Sequence, residues 1–199
     1  MLRPRHPKTV WNNDTQGGFT AVELMVTVTI LAILAALAVP SFTPLIERWR
    51  MRQITEELQS TLYLARAEAI KRGGNITIVR TLGDSGCSDI SASPALWDCG
   101  WQVLFTTPGT TPGTPMTTNL QRASAPSRTH IQLRDGQGRV IDTSTPISID
   151  RWGQITLGSN TSFDFLIYPS SSSSTNTTKL CVLASGRIKR LDIGSDPCT

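Results

Sequence analysis

The longest apolar run of the sequence covers residues 18–39, and it is the only run long and apolar enough to cross a bilayer. It carries one ionisable residue, Glu23, near its start. A carboxylate inside a membrane costs roughly 2.5–3.5 kcal/mol on insertion scales, so a positive charge is needed to compensate it. If the chain is cut between Gly18 and Phe19, the new amine of Phe19 lies about one helical turn before Glu23, or beside the Glu23 of a neighbouring copy. The pattern therefore predicts a helix whose one acid pairs with an amine.

The pattern changes at Pro40, after which apolar residues recur at spacings of three and four. Pro40 predicts a kink in a continuous helix and not a break between two elements. The spacing predicts an amphipathic helix over residues 41–73, which ends at the Gly73-Gly74 pair. Its apolar positions are Leu45, Ile46, Trp49, Ile54, Leu58, Leu62, Ala65 and Ala69.

Beyond Gly74, apolar and polar residues alternate as they do in strands. Residues 106–127 and 170–178 are rich in small and turn-forming residues and predict exposed loops. A helix followed by short strands predicts an α+β fold, in which the distal half of a long N-terminal helix packs on an antiparallel β-sheet. The predicted strands are residues 75–80, 100–105, 129–133, 146–149, 154–157, 162–168 and 179–184, with a last segment opening at Gly186.

These patterns divide the chain into four parts. Residues 1–18, which precede the cut considered above, are expected to form a leader that the mature protein lacks, and residues 19–40 to form a transmembrane and assembly helix. Residues 41–73 form the amphipathic helix of the soluble domain. Residues 74–199 form a β-rich domain with a disulfide-tied C-terminal tail.

Charged residues are sparse, and the formal net charge is +4. Part of it belongs to the leader, whose Arg3, Arg5 and Lys8 predict that the N-terminal end stays in the cytoplasm. The composition is typical of an extracytoplasmic β-rich domain. Net charge alone does not indicate nucleic-acid binding, so the placement of cations must decide. Arg48, Arg50 and Arg52 form a basic helix face, interpreted either as a solvated face or as a lipid or nucleic-acid patch.

Four cysteines occur, and an exported domain meets an oxidising compartment in which an even count usually forms disulfides. Of the three possible connectivities we favour the local one, Cys87–Cys99 and Cys181–Cys198, because each bond closes a short loop. The alternative is a metal site, but there is no C-x-x-C spacing and few histidines, so we predict no metal.

No catalytic motif is present in the sequence. It lacks a G-x-S-x-G elbow, an H-E-x-x-H motif and a P-loop, and neither His6 nor His130 has an evident nucleophile as partner. We therefore predict a protein that is not an enzyme and needs no cofactor, with His130 as a surface or edge residue.

The tail offers the most specific chemistry, since Lys179, Arg187, Lys189 and Arg190 occur there with no intervening acid. Strand alternation places Arg187 and Lys189 on one face and Arg190 on the other. The apolar pattern changes parity after Ile188, which predicts a bulge near Lys189 and Arg190 that lets the basic side chains project together. We predict that these cations bind a polyanion.

The motif at the start of the apolar run, G-F-T-x-x-E, resembles the prepilin signal of type IV pilins and type II secretion pseudopilins. The resemblance implies cleavage after Gly18 by a prepilin peptidase and methylation of the Phe19 amine, with Thr20 and Glu23 at characteristic signal positions. It also implies a pilin fold, a single pass of the inner membrane, a periplasmic C-terminal domain, and assembly with other pilins. The alternative is an ordinary secretory signal peptide with an A-x-A site at residues 36–38. N-terminal sequencing distinguishes a start at Phe19 from a start after that site.

Three later motifs resemble the FimT/GspH group of minor pilins: L-x-x-A-R-x-E-A-I-K-R at residues 62–72, G-W-x-V-x-F at residues 100–105 and S-G-R-I-K-R at residues 185–190. Some FimT proteins are understood to bind DNA through a G-R-x-R-type motif during natural transformation. The resemblance implies a minor type IV pilin that binds DNA with little sequence preference, with Lys189 where a second Arg often stands. The alternatives are a structural pseudopilin of a type II secretion system and a pilus-priming subunit, in which the cations only protect an edge strand.

Overall fold

The computed structural model describes residues 18–81, 96–109, 114–124, 126–141, 145–170, 176–192 and 198, so most of the predicted leader lies outside the described residues. One helix, α1 (Ala21–Arg72), precedes the strands of the described chain. The chain divides into two compact units, Met1–Thr43 and Pro44–Thr199. The strands are β1 (Ile76–Arg80), β2 (Trp101–Thr107), β3 (Met116–Ala123), β4 (Thr129–Asp135), β5 (Ile147–Ile149), β6 (Ile155–Leu157), β7 (Ser162–Pro169), β8 (Thr178–Leu183) and β9 (Ile188–Asp192).

Helix α1 begins at a side-chain cap. The hydroxyl oxygen of Thr20 accepts a hydrogen bond from the backbone N–H of Glu23 at 3.2 Å. Thr is a favoured N-cap residue, and an acid in the first turn is stabilised by the helix dipole. Thr20 and Glu23 therefore have a structural role at the helix start, in addition to any role in processing or assembly.

The apolar part of α1 in the first unit was predicted to span a membrane over residues 19–40. Among the described residues, no single helix passes a test of length and apolar composition for a membrane span, whereas the segments Ala21–Leu37 and Phe42–Arg72 pass it when taken together. Large apolar side chains of the first segment are exposed, including Val22, Met25 and Leu37.

Two glycines end α1, as the sequence predicts. Gly73 adopts φ +79°, and the N–H of Gly74 donates to the carbonyl oxygen of Ala69 at 2.7 Å. This is the hydrogen bond of a Schellman motif, in which a left-handed glycine closes the last turn. The chain then reverses directly into β1.

The described strands form two antiparallel sheets, where the sequence predicted one. The orders are β3-β2-β1-β5-β6 and β4-β7-β8-β9. β1 lies between β2 and β5, a pairing between strands distant in sequence that local patterns do not reveal.

Strand β3 corrects the prediction of an exposed loop over residues 106–127. It pairs with β2 along its length, with an irregularity between Val103 and Leu104. β3 is an edge strand with mostly exposed side chains, so it needs no alternating apolar residues and resembles a loop in sequence. Its backbone hydrogen bonds to β2, and not burial, hold it in the sheet.

The core of the second unit combines one stripe of α1 with both sheets. The helix contributes Met51, Ile54, Leu58, Leu62, Ala65 and Ala69, and the sheets contribute residues such as Trp101, Phe163 and Phe165. The stripe begins at Met51: the predicted apolar positions Leu45, Ile46 and Trp49 are exposed. Helix and core are joined by a buried hydrogen bond, which Trp101 Nε1 donates to Thr61 Oγ1 at 3.0 Å.

Candidate functional site

The basic tail forms a hairpin of β8 and β9, which we call the basic hairpin (residues 178–192). Leu183 N–H donates to the carbonyl oxygen of Arg187 at 3.0 Å, and Gly186 N–H donates to that of Leu183 at 2.8 Å. Gly186 has φ +78°, the left-handed conformation that completes a three-residue turn with a G1 bulge. The turn therefore places Arg187 immediately before β9.

The bulge predicted near Lys189 and Arg190 is wrong, because β9 pairs with β8 in regular register. Lys189 lies opposite Cys181 and Arg190 lies opposite Leu180, so the two cations point to opposite faces of the sheet. The one irregularity of the hairpin is at Gly186, inside the turn.

Lys179, the fourth predicted DNA-binding residue, lies in different surroundings from the other three. It lies between Leu166 of β7 and Leu191 of β9 on the face opposite the core, which we call the outer face. Only 9% of its surface is exposed, so it contributes little to the cationic surface of the hairpin. The same row explains the change of parity in the sequence, since both Leu166 and Leu191 lie on the outer face.

The other three predicted cations, Arg187, Lys189 and Arg190, are exposed. β9 is the edge strand of its sheet, so one side of it is unpaired among the described residues. Within the described part of the chain, no hydrogen bond or ion pair occupies these three side chains.

A disulfide joins Cys181 of β8 to Cys198, with their Cα atoms 5.5 Å apart. Cys181 lies opposite Lys189 in the register, and the bond holds residue 198 on the outer face, where Cys198 Sγ lies 3.7 Å from Asp164 Oδ2. Asp164 of β7 is the next residue in this row, and it is buried. Arg134 Nε donates to Asp164 Oδ1 at 2.7 Å. Burial raises the pKa of Asp164, although the positive charge of Arg134 opposes the rise.

Arg66 of α1 connects the helix to the basic hairpin. Its Nη1 donates to the carbonyl oxygen of Gly186 at 2.9 Å. A Cβ atom at Gly186 would lie 2.4 Å from Arg66 Cζ, and one at Gly153, in the β5–β6 turn, would lie 2.8 Å from Arg66 Nε. The guanidinium group therefore contacts two turns, one from each sheet. The sequence motifs at residues 62–72 and 185–190 meet here, a contact that their spacing in sequence does not indicate.

The remaining predicted residues lie away from the hairpin. His130 Nδ1 lies 2.5 Å from Asp98 Oδ2, and the Ile131 N–H donates to Asp98 Oδ1 at 2.8 Å, so Asp98 joins the segment before β2 to β4. The adjacent Cys99 is disulfide-bonded, and its predicted partner Cys87 lies outside the described residues. A search of the described residues for three or more His, Cys, Asp or Glu side chains able to hold a metal ion finds none.

At the N-terminal end, Gly18 and Phe19 precede the capped start of α1. The Phe19 side chain is 80% exposed, and no atom of the described residues lies within 4 Å of a Cβ built at Gly18.

Residues 55–186 match the model of a protein family described as "Type II transport protein GspH", which covers more than half of the chain. The chain belongs to this family. Residues 13–39 of this GspH-family protein match the "Prokaryotic N-terminal methylation motif", a range that includes Gly18, Phe19 and Glu23. The protein is thus a minor pilin or pseudopilin, as the sequence motifs indicate, and its family consists of structural subunits.

Two crystal structures of the type IV minor pilin FimU from Pseudomonas aeruginosa are similar to the GspH-family protein. One has a TM-score of 0.50 at 18% identity, covering 76% of this chain and 95% of FimU. The other has a TM-score of 0.48 at 17% identity, covering 73% and 96%. At this identity the likeness concerns the fold alone, and it confirms the predicted pilin architecture. None of the curated proteins matches the sequence.

Proposed function

We propose that this GspH-family protein is a minor type IV pilin that binds DNA through the basic hairpin during DNA uptake. The observation that carries the proposal is the exposure of Arg187, Lys189 and Arg190, without described partners, on an edge hairpin. Three exposed cations on one strand-and-turn element, with no partner among the described residues, form a basic surface for a phosphate backbone.

Opposite orientation of Lys189 and Arg190 is compatible with one ligand, because β9 is an edge strand. At the edge of a sheet the two faces meet, so a backbone that runs along β9 can accept contacts from both sides. Such contacts go to phosphates and carry no sequence information, so the protein binds DNA with little sequence preference.

Rigidity of the basic hairpin favours binding. The Cys181–Cys198 bond fixes β8 to the tail, and Arg66 holds the carbonyl of Gly186. A surface that is already ordered loses less conformational entropy when it binds.

Membrane attachment and assembly form the second part of the proposal. A prepilin peptidase cuts between Gly18 and Phe19 and the Phe19 amine is methylated. The helix then anchors the protein in the inner membrane, with the second unit in the periplasm. In the filament, Glu23 pairs with the Phe19 amine of a neighbouring subunit, which compensates the buried carboxylate.

The DNA-binding part is tested with the full chain in detergent micelles, by measuring affinity for a labelled duplex as a function of salt. Three phosphate contacts give a log–log slope of about −2.7, and Arg187→Gln with Lys189→Gln reduces its magnitude by about 1.8. Arg48→Gln with Arg52→Gln on α1 is the matched control, because it removes the same charge from another exposed surface. Loss of binding in the control and not in the hairpin variant would move the site to the helix.

A second candidate function is that of a purely structural subunit, without a ligand. The contact between Arg66 and Gly186 favours it, since it gives both motifs a role in holding the domain together. Absence of DNA binding by the unmodified protein at low salt would support this candidate against the first.

The assembly part is tested with Glu23→Ala. This substitution removes a costly charge from the membrane segment, so we expect normal or improved insertion and defective incorporation into filaments. Membrane fractionation and immunodetection of sheared filaments measure the two steps. Normal incorporation would contradict the pairing role.

A further inference from the structure

The β5–β6 turn lies next to the basic hairpin. Ile155, two residues after Gly153, donates its N–H to the carbonyl oxygen of Ala184, two residues before Gly186, at 3.0 Å. Arg66 contacts both glycines from the helix side. The tips of the two turns therefore belong to one continuous surface of the second unit.

The β5–β6 turn is held by several hydrogen bonds and exposes the indole side chain of Trp152. Gly153 N–H donates to the carbonyl oxygen of Asp150 at 3.0 Å, and Asp150 Oδ1 accepts from the backbone N–H groups of Trp152 at 2.9 Å and Gln154 at 2.8 Å. Gly153 has φ +76°, so the turn has the same design as that of the basic hairpin. Arg151 and Trp152 occupy its tip.

Trp152 contributes nothing to the core of this chain. Trp97 and Trp101 are 3% and 1% exposed, whereas Trp152 is 72% exposed. The guanidinium carbon of Arg151 lies 5.7 Å from the centre of the Trp152 ring. Sites for single-stranded nucleic acid combine an aromatic ring on which bases stack with cations that contact the phosphates. Both elements are present here: Trp152 is the ring, and Arg151 beside it and Arg187 next to the neighbouring turn are the cations.

We propose that Trp152 stacks on an unpaired base, and that the protein therefore prefers single-stranded DNA to duplex DNA. The proposal rests on the proposed function, because Arg187 and its neighbours supply the phosphate contacts. In a duplex the base faces are already stacked on one another, so only an unpaired base offers a free face to the indole. Arg151 supplies a further phosphate contact or stacks beside the base.

The test measures affinities of the full chain in detergent micelles for three labelled ligands of equal length: a single strand of thymidines, a duplex, and an abasic single strand. We expect Trp152→Ala to weaken binding of the thymidine strand roughly tenfold, as loss of one stacking contact does. Binding of the duplex and the abasic strand should be unchanged. Trp152→Phe should restore part of the affinity for thymidine.

The matched control is Trp49→Ala. Trp49 is also an exposed indole with an arginine, Arg52, 5.7 Å from its ring centre, but it lies on α1. We expect no effect on any of the three ligands.

Two failures are distinguishable. If Trp152→Ala binds all three ligands like the unmodified protein while Arg187→Gln with Lys189→Gln loses them, the stacking role is wrong and the basic hairpin remains the site. If the unmodified protein binds none of the ligands, both proposals are wrong. Equal weakening for all three ligands in Trp152→Ala would also contradict stacking, because the abasic strand offers no base.

Discussion

Gly186 is constrained in two independent ways. Its φ of +78° is strained for any residue with a side chain, and the space where a Cβ would lie is occupied by the guanidinium group of Arg66. Gly138 lies in the turn that follows β4 and has φ +84°, but no atom of the described residues lies within 4 Å of a Cβ built there. Substitutions at the two glycines therefore separate the free-energy cost of the left-handed backbone conformation from the cost of the contact with Arg66.

We expect Gly138→Ala to destabilise the protein by roughly 1 kcal/mol and Gly186→Ala by roughly 2–4 kcal/mol, because the second change also displaces Arg66. Unfolding of both variants by denaturant, followed by circular dichroism, measures the difference. Equal losses would show that the contact with Arg66 contributes little.

Burial governs the ionisation of Asp164. Its pKa is raised above the usual 3.8 by burial, against the opposing charge of Arg134. A raised pKa in the folded state means that the protonated carboxyl favours folding. Its contribution is fully present below the unfolded pKa, and is lost as the pH rises through the raised folded value.

We therefore expect the unmodified protein to lose stability relative to Asp164→Asn as the pH rises from about 3.5 to neutrality. Asp135 provides the opposite case: a hydrogen bond from the backbone N–H of Arg139 lowers its pKa, so its contribution is lost as the pH falls. Unfolding free energies of the unmodified protein, Asp164→Asn and Asp135→Asn across this range measure the two trends. A rising contribution from Asp164 with pH would mean that Arg134 outweighs burial.

The exposure of Arg187, Lys189 and Arg190 follows from their basic side chains and their place at the end of the chain. The burial of Lys179 does not follow from the sequence, because a basic residue in an alternating pattern resembles a solvent-facing one, while the structure adds strands on both of its sides. No sequence motif marks Trp152, although the D-R-W-G sequence places a large aromatic residue where a turn normally exposes polar ones.

At the scale of elements, a buried polar contact joins α1 to the sheets within an apolar interface. Thr61 Oγ1 accepts from Trp101 Nε1 and is fully buried. Thr55 is equally buried on the same helix, but its hydroxyl donates only to the carbonyl of Met51 in its own helix, at 2.7 Å.

We expect Thr61→Val to destabilise the protein by roughly 1–3 kcal/mol, because it leaves the buried indole N–H of Trp101 without an acceptor. Thr55→Val should cost less, since no partner group is left unsatisfied. Denaturant unfolding, with near-ultraviolet circular dichroism as a report on Trp101, measures both effects. A larger loss in Thr55→Val would contradict the role of the Trp101 bond.

The helix and most strands follow from the sequence because their buried faces repeat with periods of 3.6 and 2. Strand β3 does not, since an edge strand with polar side chains is specified by backbone pairing alone. The bulge predicted in β9 is absent for a related reason. Its prediction assumed that one face of the strand is wholly polar, whereas the outer face of the sheet carries Leu166 and Leu191.

At the scale of the whole molecule, the order of a helix followed by strands was sufficient to predict the α+β class and the packing of α1 on antiparallel strands. The separation into two sheets depends on β5 returning to pair with β1, a contact across about seventy residues of chain that no local pattern encodes. For the same reason, the meeting of the turns at Gly153 and Gly186 is visible only in three dimensions.

The Cys181–Cys198 bond closes the loop that contains the basic hairpin, with a sequence separation of 17. Closing a loop of this size stabilises a protein by about 3 kcal/mol in the chain-entropy model. We expect Cys181→Ser with Cys198→Ser to lose about this amount and to weaken DNA binding, because the hairpin becomes less ordered. Thermal unfolding and DNA titration of the double variant measure the two effects, and unchanged unfolding would exclude a stabilising role for the bond.

Attachment of residue 198 to β8, the strand adjacent to β9, also has a practical consequence for the placement of labels. An affinity tag or fluorophore fused after Cys198 is tethered to the basic hairpin and would shield its exposed cations from a polyanion. A label on an exposed side chain of β3, the edge strand of the other sheet, avoids this masking. Comparing the DNA affinities of the two labelled forms therefore tests whether the hairpin binds the ligand, without a change to its residues.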